Sequence, residues 1–192
     1  MQSQHATTLT HDPLNEDPLI EGPLNGRPPA RPDLRVVRMA RSRRLFRAFG
    51  LATAALVATG GYVHFCLYRH GYRTIPKIGV GFGLQVVTSA VVAIALLVGP
   101  HGLARVTHVT DRLAGTLTGL AAAALATGTL VAFALTRTPG GLFNFQERGL
   151  QPAPQALIAL VAEIGVLVVL GAWLVTDHVV RHQVRTVPVS RV

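Results

Sequence analysis

Cysteine occurs once in this chain, at Cys66, which excludes an intramolecular disulfide and any zinc cluster built on cysteine. No neighbouring charge favours a thiolate there, so Cys66 reads as a small apolar packing residue. Lysine also occurs once, at Lys77, and arginine supplies the other 17 of 18 basic residues. That bias, with abundant Ala, Gly and Val, is what a high-GC bacterial genome produces. Acidic residues number only nine, which leaves a net charge of +9. Such an excess suits nucleic acid when it forms a basic face with interleaved aromatics. Here the arginines lie between and outside long apolar runs, so nucleic acid is not a partner and the lipid bilayer is.

The mean hydropathy of +0.41 is high for a chain whose first forty or so residues are polar. Residues 1–40 carry no hydrophobic periodicity but a loose repeat, Asp12-Pro13-Leu14-Asn15, Asp17-Pro18-Leu19-Ile20 and Gly22-Pro23-Leu24-Asn25. Proline at this density blocks helix propagation, so the segment reads as a disordered, proline-rich basic arm. Whether the repeat docks a partner stays open. So does a start at Met39, because Met39-Ala40-Arg41-Ser42-Arg43-Arg44 has the make-up of a basic amino terminus.

Residues 41–180 contain four apolar runs, at 46–67, 78–98, 113–135 and 155–176, ahead of a tail at 181–192. Each run is close to the ~20 residues that a helix needs to cross the ~30 Å hydrocarbon core. The runs are apolar on all sides, whereas helices of a soluble bundle keep a polar face. The first lies too far inside the chain, and is too long, for a signal peptide. Gly71, Pro76, Gly99-Pro100, Pro139-Gly140-Gly141 and Pro152-Ala153-Pro154 punctuate the connectors. The expected fold is therefore all-α, an integral membrane four-helix bundle with a disordered N-terminal arm.

Counting Lys and Arg orients the bundle. The N-terminal side, the second connector and the tail hold 13, against five on the opposite side (Arg69, Arg73, Lys77, Arg137, Arg148). The positive-inside rule then places both termini in the cytoplasm of a bacterial plasma membrane. Packing signals concentrate in the third span, where Gly115 and Gly119 form a small-xxx-small spacing that favours close helix packing within the bundle. Gly79, Gly81 and Gly83 open the second span and mark a bend or a close crossing near the outer surface.

Ionisable groups in hydrocarbon are costly and need a partner or a purpose. Glu163 lies about eight residues, or ~12 Å, into the fourth span. With the orientation above, His64, Gln85, Thr129 and Glu163 fall in one outer layer, one from each span. The functional reading is a ligand or proton site open to the exterior, with Glu163 as acceptor, His64 as its partner and Gln85 as an orienting amide. The structural alternative is a hydrogen-bonded cluster that fixes helix register and holds Glu163 uncharged. Two metal-capable side chains are too few for a closed metal site, and one histidine within a span is too few for bis-histidine haem. No metal site is therefore expected, and the sequence names no cofactor. In the outer loops, Tyr68, Tyr72, Arg73 and Glu147 form a surface that reads as interfacial anchoring, or else as a lid over the polar layer. On the inner side, His178 and His182 stand four apart beside Asp177, and His101 and His108 share a connector; solvated helix ends explain these groups more simply than metal binding does.

The junction from His64-Phe65-Cys66-Leu67-Tyr68 through Gly71-Tyr72-Arg73 and Ile75-Pro76 to Phe82-Gly83-Leu84-Gln85 carries a resemblance, together with Phe143-Asn144-Phe145-Gln146-Glu147, Pro152-Ala153-Pro154-Gln155 and Glu163. Residues 45–176 resemble a group of small, uncharacterised four-span membrane proteins of actinobacteria, and in overall shape are loosely similar to DoxX-like four-helix proteins. The resemblance implies no activity. No segment carries a catalytic signature, so the leading expectation is a non-enzymatic accessory or scaffold subunit, with a membrane-protein partner or a second copy of itself. The alternative is binding or transport of a small solute, a proton or a lipophilic cofactor through the outer polar site.

Overall fold

The computed structural model describes residues 34–185, with side chains from 44 to 180. The proline-rich repeat, the side chain of His182 and the end of the tail lie outside the described residues. Helix α1 runs Leu34–Arg69, α2 Ile78–Thr107, α3 Asp111–Leu135 and α4 Gln155–Arg185. A 3-10 turn, Tyr72–Thr74, lies between α1 and α2, and no strand occurs among the described residues beyond the isolated Leu142–Phe145 bridge. α1 starts two residues past Pro32, where nothing further blocks helix propagation, and so extends ahead of the first apolar run. All four helices are long and apolar enough to cross a bilayer. The protein is an all-α integral membrane bundle of four helices.

The span boundaries have local causes. α2 is broken at Gly99, whose φ of 74° and ψ of 169° leave the helical region, and Pro100 supplies no donor to the turn before it. The second apolar run therefore ends at Val98, and residues 100–107 form a short helical continuation that stops at left-handed His108. Thr110 caps α3, its hydroxyl accepting from the Leu113 N–H at 3.3 Å, and Asp111 complements the first-turn dipole. At the other end of the bundle Gly79 lies so close to the preceding turn that a Cβ would stand 2.7 Å from the Arg73 carbonyl oxygen. Of the three glycines that open α2, this one makes a close crossing. Gly83 lies beside the Tyr68 ring, and Gly81 faces open space.

α1 packs against α2 and α4, and α3 closes the ring by packing against the same two helices. α2 and α4 form a diagonal. In mid-bundle all four helices meet through Val57, Val92, Ala93, Ala122, Ala126 and Val166. Toward the Tyr72 end a second cluster joins Val63, Leu67 and Ala159 with Tyr72 and Phe82, and α3 takes no part in it. Outward-facing residues are large and apolar, such as Leu84, Val87, Val91 and Ile94 on α2, each more than half exposed. Lipid tails, not water, are the solvent that such a surface fits.

The closest helix contacts are not where the Gly115/Gly119 spacing places them. A Cβ on Gly115 would meet Pro100 at 3.6 Å and one on Gly119 would meet Trp173 at 3.9 Å, which are ordinary contacts. The buried small residues of α3 are instead Ala114, Ala122 and Ala126. The tight approaches occur on α1. A Cβ on Gly60 would stand 2.8 Å from the Glu163 Oε1 atom of α4, and one on Gly61 would stand 2.6 Å from the Ser89 Cβ of α2. Two adjacent glycines thus seat two neighbouring helices, because consecutive positions on a helix point about 100° apart.

Overpacking this contact should be costly. Gly61→Leu is expected to destabilise the bundle by about 1–3 kcal/mol, read as a lower thermal midpoint in detergent. Gly171→Ala, where a Cβ meets nothing within 4 Å, should leave the midpoint unchanged or slightly raised. Equal midpoints for Gly61→Leu and wild type would contradict the close α1–α2 seat.

Candidate functional site

Glu163 is only 3% exposed, on the α4 face that meets α1. Its carboxyl occupies the space that the missing Gly60 side chain leaves. Across the diagonal, Gln85 Nε2 of α2 donates to Glu163 Oε1 at 3.4 Å, a long bond. His64, also buried, uses Nδ1 on the carbonyl of Gly60 at 2.8 Å. A carbonyl only accepts, so Nδ1 carries the proton and the Nε2 of a neutral ring keeps its lone pair. Thr129 donates its hydroxyl proton to the Leu125 carbonyl at 2.9 Å. Ser89, one turn deeper than Gln85 on α2, is buried against Gly61, and its hydroxyl has no partner among the described residues.

His64, Gln85, Thr129 and Glu163 line a single cavity of about 210 Å³ between the helices. The sequence pairs His64 with Glu163, and here the structure differs. The imidazole bonds its own helix, because the carbonyl four residues back is the nearest acceptor to a helical side chain. Histidine and glutamate therefore share the cavity without sharing a hydrogen bond. The rest of the lining is largely apolar and includes Phe82, Phe133 and Leu160. The Phe82 ring lies 5.1 Å from the His64 ring and 4.8 Å from that of Tyr72, so aromatic contact continues from the cavity wall to its roof.

The roof is built from the two loops at this end. Arg137, just past α3, donates from Nη1 to the Phe133 carbonyl at 3.0 Å, from Nε to the Gly149 carbonyl at 3.0 Å and from Nη2 to the Gln151 carbonyl at 2.9 Å. Its Nη1 also pairs with Glu147 Oε2 at 3.2 Å, with both side chains less than one-fifth exposed. The other Glu147 oxygen accepts from the Tyr72 hydroxyl. Between these residues a two-residue turn reverses the chain. Leu142 and Phe145 exchange backbone bonds of 3.0 and 2.9 Å around Phe143 and Asn144, whose φ values of 55° and 65° are left-handed. Asparagine tolerates that region and phenylalanine does so poorly. The Phe143 ring lies 5.3 Å from the Lys77 ammonium, a cation–π contact that helps to hold the turn.

The expected outer surface of Tyr68, Tyr72, Arg73 and Glu147 therefore divides. Tyr72 and Glu147 belong to the roof, and Glu147 lines the cavity. Arg73 is exposed, with its backbone against Gly79, and Tyr68 packs beside Gly83 outside the cavity lining. Arg137 has the larger role, which charge counting alone does not reveal. Its position beside the helix end, ten residues before an acid, is the available signal. Gly60-Gly61 at the middle of an apolar helix is another. At the opposite end of the bundle His101 pairs with Asp111 in an exposed contact. No group of three metal-capable side chains stands together among the described residues.

Burial and the neighbouring Glu147 carboxylate hold the Tyr72 hydroxyl above the ordinary tyrosine range. A folded-state value above the unfolded one means that the stabilisation is complete below the unfolded pKa near ~10 and is lost as pH rises through the folded value. Tyr72→Phe is expected to cost about 1 kcal/mol at neutral pH and to flatten the alkaline fall in thermal midpoint. The phenolate absorbance that this variant loses should titrate above the ordinary range. Glu147→Ala, which leaves Arg137 without its counter-charge, should cost more, about 1–3 kcal/mol. An absorbance difference that titrates at the ordinary value would exclude the Tyr72–Glu147 contact.

The chain matches no protein-family model, no curated protein and no solved structure.

Proposed function

We propose that this protein binds a small lipophilic molecule in the cavity beneath the Tyr72–Glu147–Arg137 roof, in the outer leaflet of a bacterial plasma membrane. The observation that carries this reading is the convergence of a carboxyl, an amide, an imidazole and a hydroxyl, one from each helix, on one cavity with largely apolar walls. Ligand sites are usually apolar hollows with a few polar groups that fix orientation.

A cluster kept only to set helix register would close on itself. Here only Gln85 and Glu163 bond each other, at 3.4 Å, while His64 and Thr129 bond their own backbones. The polar atoms thus retain hydrogen-bonding capacity beside a space large enough for a guest. That favours a binding role over an accessory or scaffold role. The orientation is supported by the excess of arginine on the side of both termini, which puts the roof outside the cell.

Native mass spectrometry of protein released from lipid nanodiscs tests the binding. The wild type should carry a small-molecule adduct that Glu163→Ala and Gln85→Ala lose, with all three proteins folded. An identical adduct profile in the three would sink the proposal. Topology has its own readout in a Cys66→Ser background. Asn144→Cys should react with a membrane-impermeant maleimide in intact cells, and Arg105→Cys should react only after lysis. The reverse pattern would place the roof inside.

A further inference from the structure

The remaining hydrogen-bonding capacity of the four polar residues is mostly that of acceptors. Among the described residues, Glu163 Oε2, Gln85 Oε1 and the Thr129 oxygen have no donor on them, and neither has the His64 Nε2 lone pair in the neutral ring. With Glu163 as the carboxylate, the one spare donor is the second N–H of the Gln85 amide. A guest that satisfies this set must bring donors.

Charge points the same way. Two acids line the cavity, with two permanent cations, Lys77 and Arg137, beside the neutral His64. Glu147 is matched by Arg137, whose guanidinium is also committed to the carbonyls of Phe133, Gly149 and Gln151. Lys77 is exposed at the rim, over Phe143. Among the described residues Glu163 is left with an amide and no counter-charge, and a carboxylate in a dry site is stabilised by a cation that arrives with the ligand.

The route in is also visible. Gly81 of α2 and Gly128 of α3 both line the cavity and are both exposed, and a Cβ on either would meet nothing within 4 Å. At this level α3 has left the packed cluster formed by α1, α2 and α4. The cavity is thus open sideways between α2 and α3, toward the lipid-facing surface, while the Arg137 network covers it from above.

Resting on the binding role proposed above, we infer that the ligand is an amphiphilic amine, its ammonium on Glu163 and its apolar chain leaving between Gly81 and Gly128 into the bilayer. The ammonium supplies up to three donors to an acceptor-rich site, and the chain meets the apolar walls. A fatty acid would set its carboxylate against Glu163. An alcohol brings one donor and no charge.

Radiolabelled n-octylamine and the full-length protein in phosphatidylcholine nanodiscs provide the test, with empty nanodiscs as the partition control. Saturable binding is expected, displaced by unlabelled n-octylamine but not by n-octanoate or n-octanol. Glu163→Gln should weaken it by about tenfold, as expected for loss of a charge-assisted contact. Gly128→Leu, which fills the lateral opening and leaves every polar group in place, should also weaken it, and Gly171→Leu should not. Elution profile and thermal midpoint confirm folding, and Gly128→Leu carries the test should Glu163→Gln fail to fold. Unchanged affinity in Glu163→Gln, or equal displacement by n-octanol, would overturn the amine assignment while leaving the cavity a binding site. Unchanged affinity in Gly128→Leu would overturn lateral entry. Should none of the three compounds bind saturably, the inference and the binding role would fail together if the native adduct is also missing; with that adduct present, only the amine fails.

Discussion

A carboxyl group inside hydrocarbon dictates the shape of its surroundings, and much of this bundle can be traced to the seat of Glu163. Desolvation is costly for such a group, so it needs both room and a hydrogen-bond partner. Gly60 provides the room by having no side chain where the carboxyl lies. Gln85 provides the partner from the helix diagonally opposite. This polar contact across the diagonal adds to the packing that α2 and α4 share in mid-bundle through Val92, Ala93 and Val166, and it also holds the two helices apart, because the side chains that meet are long. The next residue on α1, Gly61, seats Ser89 of α2 in the same way. The α1 backbone is therefore the surface against which its two neighbours are positioned, and its two glycines fix the depth of each.

The second constraint is the supply of donors to the loop backbone. A segment without helical hydrogen bonds is tolerated near a membrane only when its carbonyls find other partners. Arg137 provides them, bonding carbonyls before the loop at Phe133 and far along it at Gly149 and Gln151. Its charge is balanced by Glu147, which the Tyr72 hydroxyl in turn ties to the other loop. Lysine could not replace it. An ammonium has no planar fork with which to address three separated carbonyls and a carboxylate. One arginine thereby converts two loops into one roof over the polar layer.

How much of this was legible in the sequence follows from the range of each interaction. The four helices were readable, because length, apolar composition and Gly99-Pro100 act locally. The far ends of two were not: α1 begins at Leu34 and α4 runs to Arg185, well beyond the apolar runs at 46–67 and 155–176. The shared depth of His64, Gln85, Thr129 and Glu163 was readable as well, since rise per residue and alternating direction are enough to place a layer. Bonding within the layer was not. A layer fixes height but not azimuth, and azimuth decided that Gln85 reaches Glu163 while His64 turns to Gly60. The glycines misled for a related reason. Gly115 and Gly119 have the spacing for close approach, yet glycine allows contact without requiring it, and α3 turns its alanines inward instead. Arg137 counted as one charge among five on its side, and nothing local announced that three carbonyls would converge on it.

The position of the cavity follows from side-chain size along the helices. α4 presents Ala156, Ala159 and Ala162 as buried small residues, and Ala159 packs with Val63 and Leu67 of α1. Small side chains allow α4 to lie close to α1 along the half nearer Tyr72. α3 shows the opposite gradient. Ala122 and Ala126, both fully buried, bring it into the core at mid-bundle, and then Leu130 and Phe133 take over on the inward side. Larger side chains hold a helix further off. One helix leans in as the other is pushed out, and a space opens between them at the depth where Glu163 needs it. The cavity is thus more than a packing defect beside a buried acid. The size gradient that makes the space and the glycine that admits the carboxyl act at the same level of the bundle, so the acid faces a space its own scaffold produces.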